Sequence, residues 1–250
     1  MSPPRFDDHF SGHAAGYAQA RPGYPDALFA WLAGQAPSRT QAWDAGCGNG
    51  QASIGLARHF ERVHASDPSA AQVANATAHP RVHYAVEPAE HCSLADGSAD
   101  LVVVAQAYHW FDHSAFCGEV RRVLRAGGVI AVWGYLRSTV SPAVDAVFDR
   151  LHDEVLAADW PAGRAHLLNR YADLPFPFAR LATPDFEMCE HWTLPQYLAY
   201  LRSWSASQRY QARTGMDAIR ESQSAFADAW GDPAQARAVR WPLVLLAGRR

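Results

Sequence analysis

Short apolar runs alternate with stretches of helical spacing over the first half of the chain. Arg39–Ala45 reads as a strand, Gln51–Phe60 as a helix carrying Ile54, Leu56 and Phe60, and Val63-His64-Ala65-Ser66 as a second strand ending at Asp67-Pro68. Ser69 is a good N-cap for a short helix over Ala70–Thr77, and Val82–Val86 is a third strand. Leu101-Val102-Val103-Val104-Ala105 is apolar without alternation, as a strand covered on both faces must be. Phe116, Val120, Val123 and Leu124 recur at helical spacing behind Asp112, a natural cap. Gly127-Gly128 is read as the end of that helix and Val129–Trp133 as a fifth buried strand. Upstream, Pro25 suits the first turn of a helix through Leu28, Phe29, Trp31 and Leu32.

Five strands separated by helices predict an α/β fold, doubly wound around a mostly parallel sheet. After Trp133 the alternation lapses. Pro142–Ala158, Pro195–Trp204 and Met216–Trp230 read as helices, Phe186–Trp192 and Arg237–Gly248 as strands. The expected organisation is a single domain, 1–250, around a seven-stranded sheet. Its core spans about 36–135, its closing strands about 183–193 and 236–248, and a helical lid comes from about 1–24, 136–182 and 195–232.

Composition narrows the classes. At 250 residues, 49% hydrophobic and 19% charged, the chain has ample material for one large globular core. A net charge of −3 gives no general pull toward nucleic acid or an anionic membrane. No run of about 18 apolar residues is present, and Met1–Ala20 lacks the apolar stretch of a signal peptide. The four cysteines are scattered, which fits a reducing, cytoplasmic setting and supports neither a disulfide framework nor a zinc knuckle. His109 and His113 are four apart with no third ligand evident, so no metal is expected. All 22 basic residues are arginine, which excludes Schiff-base and P-loop lysines.

In a doubly wound sheet, ligands bind beyond the carboxyl ends of the strands. Four features fall there: Asp44–Gly50, Asp67, Glu90 and Gln106–Trp110. Asp44, Gly46, Gly48 and Gly50 form D-x-G-x-G-x-G, a turn whose glycines let a ligand rest on bare main chain. A dinucleotide turn would need Gly at position 51, where Gln51 stands, and Asp44 would repel a pyrophosphate. Asp44 suits a positive ligand group instead. Asp67, 21 residues beyond Gly46, can take two ribose hydroxyls. A ribose, a nearby cation and no phosphate describe S-adenosylmethionine.

These motifs resemble the class I S-adenosylmethionine-dependent methyltransferases, specifically the type 11 group. Trp43-Asp44-Ala45-Gly46-Cys47-Gly48-Asn49-Gly50 is similar to that family's motif I, and Ala89-Glu90 with Leu94–Leu101 to its adenine-side segment and fourth strand. Arg122-Val123-Leu124-Arg125-Ala126-Gly127-Gly128 resembles its L-(K/R)-P-G-G turn, with Ala126 in place of the usual proline. The flanks Phe10–Pro25, Ala105–Phe111, Ser203–Ser205 and Trp241–Arg249 resemble the branch containing trans-aconitate methyltransferase-like enzymes. The resemblance implies that Gly46, Cys47 and Gly48 line the donor's methionine and ribose and that Asp67 holds the ribose. It further implies that Pro68, Ala89 and Glu90 flank the adenine. Gln106 would sit by the methionyl amino group, and Arg21 with Tyr17 would bind its carboxylate.

The expected activity is methyl transfer to a small molecule, foremost O-methylation of a carboxylic acid. His109 is the candidate base or acceptor-positioning residue, and Tyr108, His109, Trp110, Trp204 and Arg209 the expected acceptor pocket. Tyr197, Tyr200 and Tyr210 extend that aromatic set, and Arg202 or Arg209 could meet an acidic substrate. Neither an (N/D/S)-P-P-(Y/F) motif nor a Pro-Cys nucleophile is present, so no nucleic-acid partner is expected. The expected assembly is a monomer or homodimer without a membrane partner. Alternatives are a catalytically silent protein binding S-adenosylmethionine or S-adenosylhomocysteine, and an NAD-dependent oxidoreductase.

Overall fold

The computed structural model describes residues 22–250; Tyr17 and Arg21 lie outside the described residues. Five parallel strands form the core: β1 (Gln41–Ala45), β2 (Arg62–Asp67), β3 (Val82–Val86), β4 (Ala99–Ala105) and β5 (Leu124–Tyr135). They lie in the order β3-β2-β1-β4-β5, so the chain reverses direction of travel across the sheet between β1 and β4. That reversal is where an open α/β sheet leaves a crevice. β8 (Arg237–Arg249) runs antiparallel beside β5, and the two-residue β6 (Ala179–Arg180) and β7 (Glu187–Trp192) both pair with β8. The sheet has eight strands, the extra one over the expected seven being β6.

β4 explains its own sequence. Leu101 and Val103 face a core shared with Leu56, Phe60 and Trp133, while Val102 and Val104 face one shared with Phe116, Val120 and Val123. Neighbouring side chains point to opposite faces, and both faces are covered, so no polar residue interrupts the run. α1 (Asp26–Gln35) and α2 (Gln51–Leu56) cover the first face. α4 (His113–Val123) covers the second; α3 (Ala70–Ala74) follows β2. Capping follows chemistry: Ser69 accepts from Gln72 N–H, and Asp112 from Ser114 and Ala115 N–H. Pro25 is the residue before α1 rather than in its first turn. Gly127-Gly128 do not end α4, which stops at Val123; they lie where the β4–β5 register jumps from Ala99↔Leu124 to Leu101↔Val129. At the opposite end of the sheet from the crevice, Asp100 accepts from Ser38 Oγ and from the Thr40 and Gln41 N–H groups, tying β4 to the start of β1.

Beyond β5 the chain builds helices over one end of the sheet. α5 (Pro142–Arg150) runs into a wide π-type turn, Leu151–Val155, and α6 (Arg164–Leu168) follows. α7 (Leu194–Arg202), α8 (Ser205–Thr214) and α9 (Ala218–Trp230) are inserted between the paired strands β7 and β8. The segment expected as one helix over 216–230 is α9, two residues shorter; α8 was not expected at all. Tyr197 packs edge-on against Phe226 and beside Trp230 in this layer's core, and its hydroxyl meets Ser138 at 2.9 Å. Among the described residues, no helix is long and apolar enough to cross a membrane.

Candidate active site

The turn after β1 is held by main-chain bonds. Gly46 N–H and Cys47 N–H both donate to Ser66 O at the end of β2. Gly46, Gly48 and Gly50 all have positive φ (70°, 54° and 87°), which L-residues with a side chain seldom adopt. Their surroundings differ. A Cβ at Gly46 would stand 2.8 Å from Ala107 Cβ, and one at Gly50 would collide with the Tyr84 ring. Among the described residues, a Cβ at Gly48 would meet nothing nearer than Gln72 at 3.9 Å, so its bare backbone is open on that side. Gly48 is the glycine of the three with room for a ligand against its main chain; the other two let the turn pack.

Two carboxylates flank it. Asp67, at the end of β2, accepts from Gly48 N–H and Ser69 N–H, one on each oxygen, at 2.9 Å. An ionised carboxylate has about four acceptor sites, so the same oxygens can also receive hydroxyls. Asp44 is fully buried and accepts from Ser53 Oγ at 2.6 Å, while its Oδ1 has no partner. Burial, with Asp67 nearby as a smaller contribution, pushes its carboxyl up to about 7. Burial also raises the Cys47 thiol, so Cys47 is a packing residue and not a nucleophile.

Gln106 begins the second half of the site. It follows β4 with φ 60°, a left-handed conformation costly for a residue with a Cβ, held by its N–H to Trp133 O at 2.8 Å. Its buried Nε2 is unpartnered. A short 3-10 turn, Tyr108–Trp110, then divides three residues that sequence placed together. Tyr108 is fully buried, packs against Phe116 and Tyr171, and donates to Pro175 O, so it belongs to the core and not to the pocket. His109 and Trp110 face a cavity of about 80 Å³, whose other walls are Gln106, Tyr135, Trp160, Pro161, Arg164, Leu167, Tyr200, Trp204 and Ser205. Arg209 lies on α8 outside this lining, and Tyr197 is in the lid core. Arg202 is paired with Asp217 at 2.8 Å.

Burial, helped by the charges of His166, Arg164 and His113, pushes the His109 imidazole down to about 4. It is a neutral ring at pH 7, stacked on Tyr171, with an unpartnered Nδ1. The buried Tyr171 hydroxyl is also unpartnered. Gly134, on β5, closes this corner: a Cβ there would stand 2.6 Å from Leu167 Cδ1, 2.9 Å from Tyr171 Oη and 3.1 Å from Gln106 Oε1. Buried polar atoms without partners are uncommon, and those of Asp44, Gln106, His109 and Tyr171 belong to this end of the sheet or to its lid. On the loops after β2 and β3, Pro68 is half-buried, Ala89 is buried, and Glu90 accepts from Asp112 N–H at 2.9 Å.

A parallel sheet with a glycine turn after its first strand and an acid after its second defines a Rossmann-like nucleoside-binding enzyme fold. Comparison with known proteins agrees. A family profile described as a methyltransferase domain matches residues 43–132. A solved candidate type II methyltransferase from Anaeromyxobacter dehalogenans is 50% identical, covers 92% of this chain and 97% of its own, and superposes with a TM-score of 0.87. A methyltransferase of Mycobacterium bovis without an assigned substrate is 30% identical, with 85% of this chain and 84% of its own aligned. A candidate methyltransferase of Dictyostelium discoideum is 29% identical, with 92% and 89% aligned. The chain belongs to the class I S-adenosylmethionine-dependent methyltransferases of the type 11 domain group.

The residues present fit that cofactor. The open backbone at Gly48 gives a nucleoside somewhere to lie, Asp67 can hold ribose hydroxyls, and the unpartnered Asp44 Oδ1 and Gln106 Nε2 are polar groups awaiting a ligand. Sequence reasoning missed Tyr135, Trp160, Arg164, Leu167 and Ser205 as cavity walls. Their signal is faint: only Trp160 and Arg164, which belong to no helical stripe, stand out in a stretch rich in Pro and Gly.

Proposed function

We propose that the enzyme methylates a small carboxylic acid on oxygen, in the cavity beyond β4 and β5. The observation that carries this reading is the neutral, weakly basic His109 in an aromatic-walled cavity. An amine or hydroxyl acceptor must lose a proton, and a ring pushed down to about 4 is a poor base for that task. A carboxylate arrives already anionic and needs none.

S-adenosylmethionine, when bound, supplies a methyl group on a sulfonium, activated toward in-line displacement. The chain's residues have the remaining work. Asp67 and the Gly48 backbone would hold the ribose, with Pro68, Ala89 and Glu90 beside the adenine. Asp44 and Gln106 would orient the methionyl end. Trp110, Trp160, Tyr200 and Trp204 exclude water and hold an acceptor's apolar body, and proximity then supplies much of the rate.

The test is S-adenosylhomocysteine release with panels of carboxylic acids, phenols and amines. Turnover of carboxylic acids, forming base-labile methyl esters, is expected. Turnover confined to phenols or amines would overturn the reading.

A further inference from the structure

We infer that Tyr171 is a positioning residue for Gln106: in the S-adenosylmethionine complex its hydroxyl donates to the Gln106 amide oxygen and so aims Nε2–H at the methionyl carboxylate. The inference rests on the reading above that Gln106 orients the methionyl end.

The backbone marks the pair out. Among the described residues, three that are not glycine have a positive φ: Gln106 at 60°, Arg170 at 56° and Tyr171 at 57°. Left-handed backbone is costly for a residue with a Cβ and persists where the surroundings enforce it. For Arg170 and Tyr171 the enforcement is local. Arg170 N–H donates to Leu167 O at 2.9 Å and Tyr171 N–H to His166 O at 2.7 Å, the paired bonds that close a helix end. Arginine stands where such an end usually has glycine, and the turn runs on through a second left-handed residue. The outcome is a fully buried Tyr171 directly after an exposed Arg170.

Neighbouring rings then fix the phenol. Tyr108 meets it edge-on with centroids 5.9 Å apart, and His109 lies nearly parallel to it at 6.2 Å. Held this way, the hydroxyl reaches β5. It stands 2.9 Å from the place a Cβ on Gly134 would take, and the Gln106 amide oxygen stands 3.1 Å from the same place. Gln106 arrives from the end of β4, its N–H bonded to the carbonyl of Trp133, the residue before Gly134. The two oxygens share one small space.

Neither side chain is satisfied there. Tyr171 Oη and Gln106 Nε2 are both buried without a hydrogen-bond partner. Such atoms destabilise a fold, and two of them in one corner, both on strained backbone, are more than packing requires. Pairing resolves the conflict. Burial pushes the Tyr171 phenol upward, so it keeps its proton and donates, while Gln106 Oε1 accepts. With the amide turned to take that proton, Nε2 is presented to the ligand as a donor. A donor suits a carboxylate, whereas the unpartnered Asp44 Oδ1, an acceptor when ionised, suits the ammonium of the same methionyl end. Gln106 thereby moves from the amino group, where the sequence expectation put it, to the carboxylate.

Calorimetry on the full-length protein compares S-adenosylhomocysteine with 5′-methylthioadenosine, which keeps the nucleoside and lacks the amino-acid end. Tyr171→Phe keeps the ring and removes only the hydroxyl. It should weaken S-adenosylhomocysteine about fivefold to tenfold and leave 5′-methylthioadenosine within about twofold. The melting temperature of the unliganded protein should rise by about 2–4 °C, because an unsatisfied buried hydroxyl is gone. Gln106→Ala should weaken S-adenosylhomocysteine about tenfold or more, with the same sparing of 5′-methylthioadenosine. Gln106→Asn, which tolerates left-handed backbone and withdraws the amide from Tyr171, should behave alike. Adding Tyr171→Phe to Gln106→Ala should cost no more than about a further twofold.

Weaker S-adenosylhomocysteine binding in the Gln106 variants but not in Tyr171→Phe would overturn the inference and leave the reading of Gln106 standing. Equal weakening of both ligands by Tyr171→Phe, a lowered melting temperature, or full additivity in the double variant would show a structural or independent role and also overturn it. Unchanged S-adenosylhomocysteine affinity in both Gln106 variants would overturn the reading and the inference together.

Discussion

The two halves of the active site are built by opposite means. On the donor side the main chain makes the shape: three left-handed glycines, amide bonds to Ser66 O and two carboxylates at strand ends. On the side of the cavity proposed for the acceptor, long side chains make it, from segments as far apart as Gln106 and Ser205. Backbone geometry of the first kind admits few residues, so it leaves a fixed fingerprint in sequence. An aromatic wall can be assembled from many combinations, so it can change with the substrate and leaves none.

Four measurements would break or sharpen that contrast. The largest effect is expected at Gly46. Gly46→Ala puts a side chain at φ 70° and 2.8 Å from Ala107 Cβ, which should destabilise by about 2–4 kcal/mol and weaken S-adenosylhomocysteine at least about 100-fold. The control is Gly118→Ala on α4, where a Cβ meets nothing; chemical denaturation should show it neutral or slightly stabilising.

Asp67→Ala comes next. It removes the acceptor of two amides along with the proposed ribose grip, and calorimetry should report a loss of about 30–100-fold in S-adenosylhomocysteine affinity. Acceptor KM should move far less, because Asp67 is not one of the residues lining the cavity.

The third measurement varies pH. Asp44 is raised from 3.8 to about 7, so below pH 7 the free protein holds a proton there that a cationic ligand group must displace. S-adenosylhomocysteine affinity should fall as pH drops below 7, by up to about tenfold per unit, and level off above it. Asp44→Asn should flatten the profile. The same group affects folding with the opposite slope. The unfolded chain releases this proton first, so unliganded stability should decline from about pH 4 to about pH 7 and then stop declining.

The smallest effect is expected at His109. With its imidazole neutral across pH 5–8, His109→Gln should change kcat on a carboxylic acid by no more than about threefold and add no inflection in that range. A hundredfold fall in kcat would make it a base and bring the acceptor side under the same tight constraints as the donor side.

The same contrast explains what could be read in advance. The run through β4 was legible because burial on two faces dictates its composition, and the Asp112 and Ser69 caps because each has a local hydrogen-bonding job. Asp44, Gly48 and Asp67 were legible as a set because their spacing is fixed by a single strand–turn–helix–strand unit. α8 was not, because Ser-Ala-Ser-Gln-Arg-Tyr-Gln-Ala-Arg-Thr has almost no apolar stripe and is held by its neighbours. Tyr108 was misplaced because a 3-10 turn decides which of three adjacent aromatics faces inward, and periodicity does not reach that scale. Arg164 was missed because its partners His152 and Trp160 are brought to it by an irregular turn, not by any repeat.

Gly134 carries a consequence for how such an enzyme diversifies. The floor of the lid, at Leu167 and Tyr171, stands so close to β5 that one added methyl group would strike both, and Gln106 as well. The absence of a side chain at this position is therefore what lets Leu167 and Tyr171 pack directly against β5. Exchanging this glycine for alanine would push the ends of the Leu167, Tyr171 and Gln106 side chains aside. Two of those three side chains, Gln106 and Leu167, are cavity walls, so residue 134 adjusts the cavity from behind without lining it.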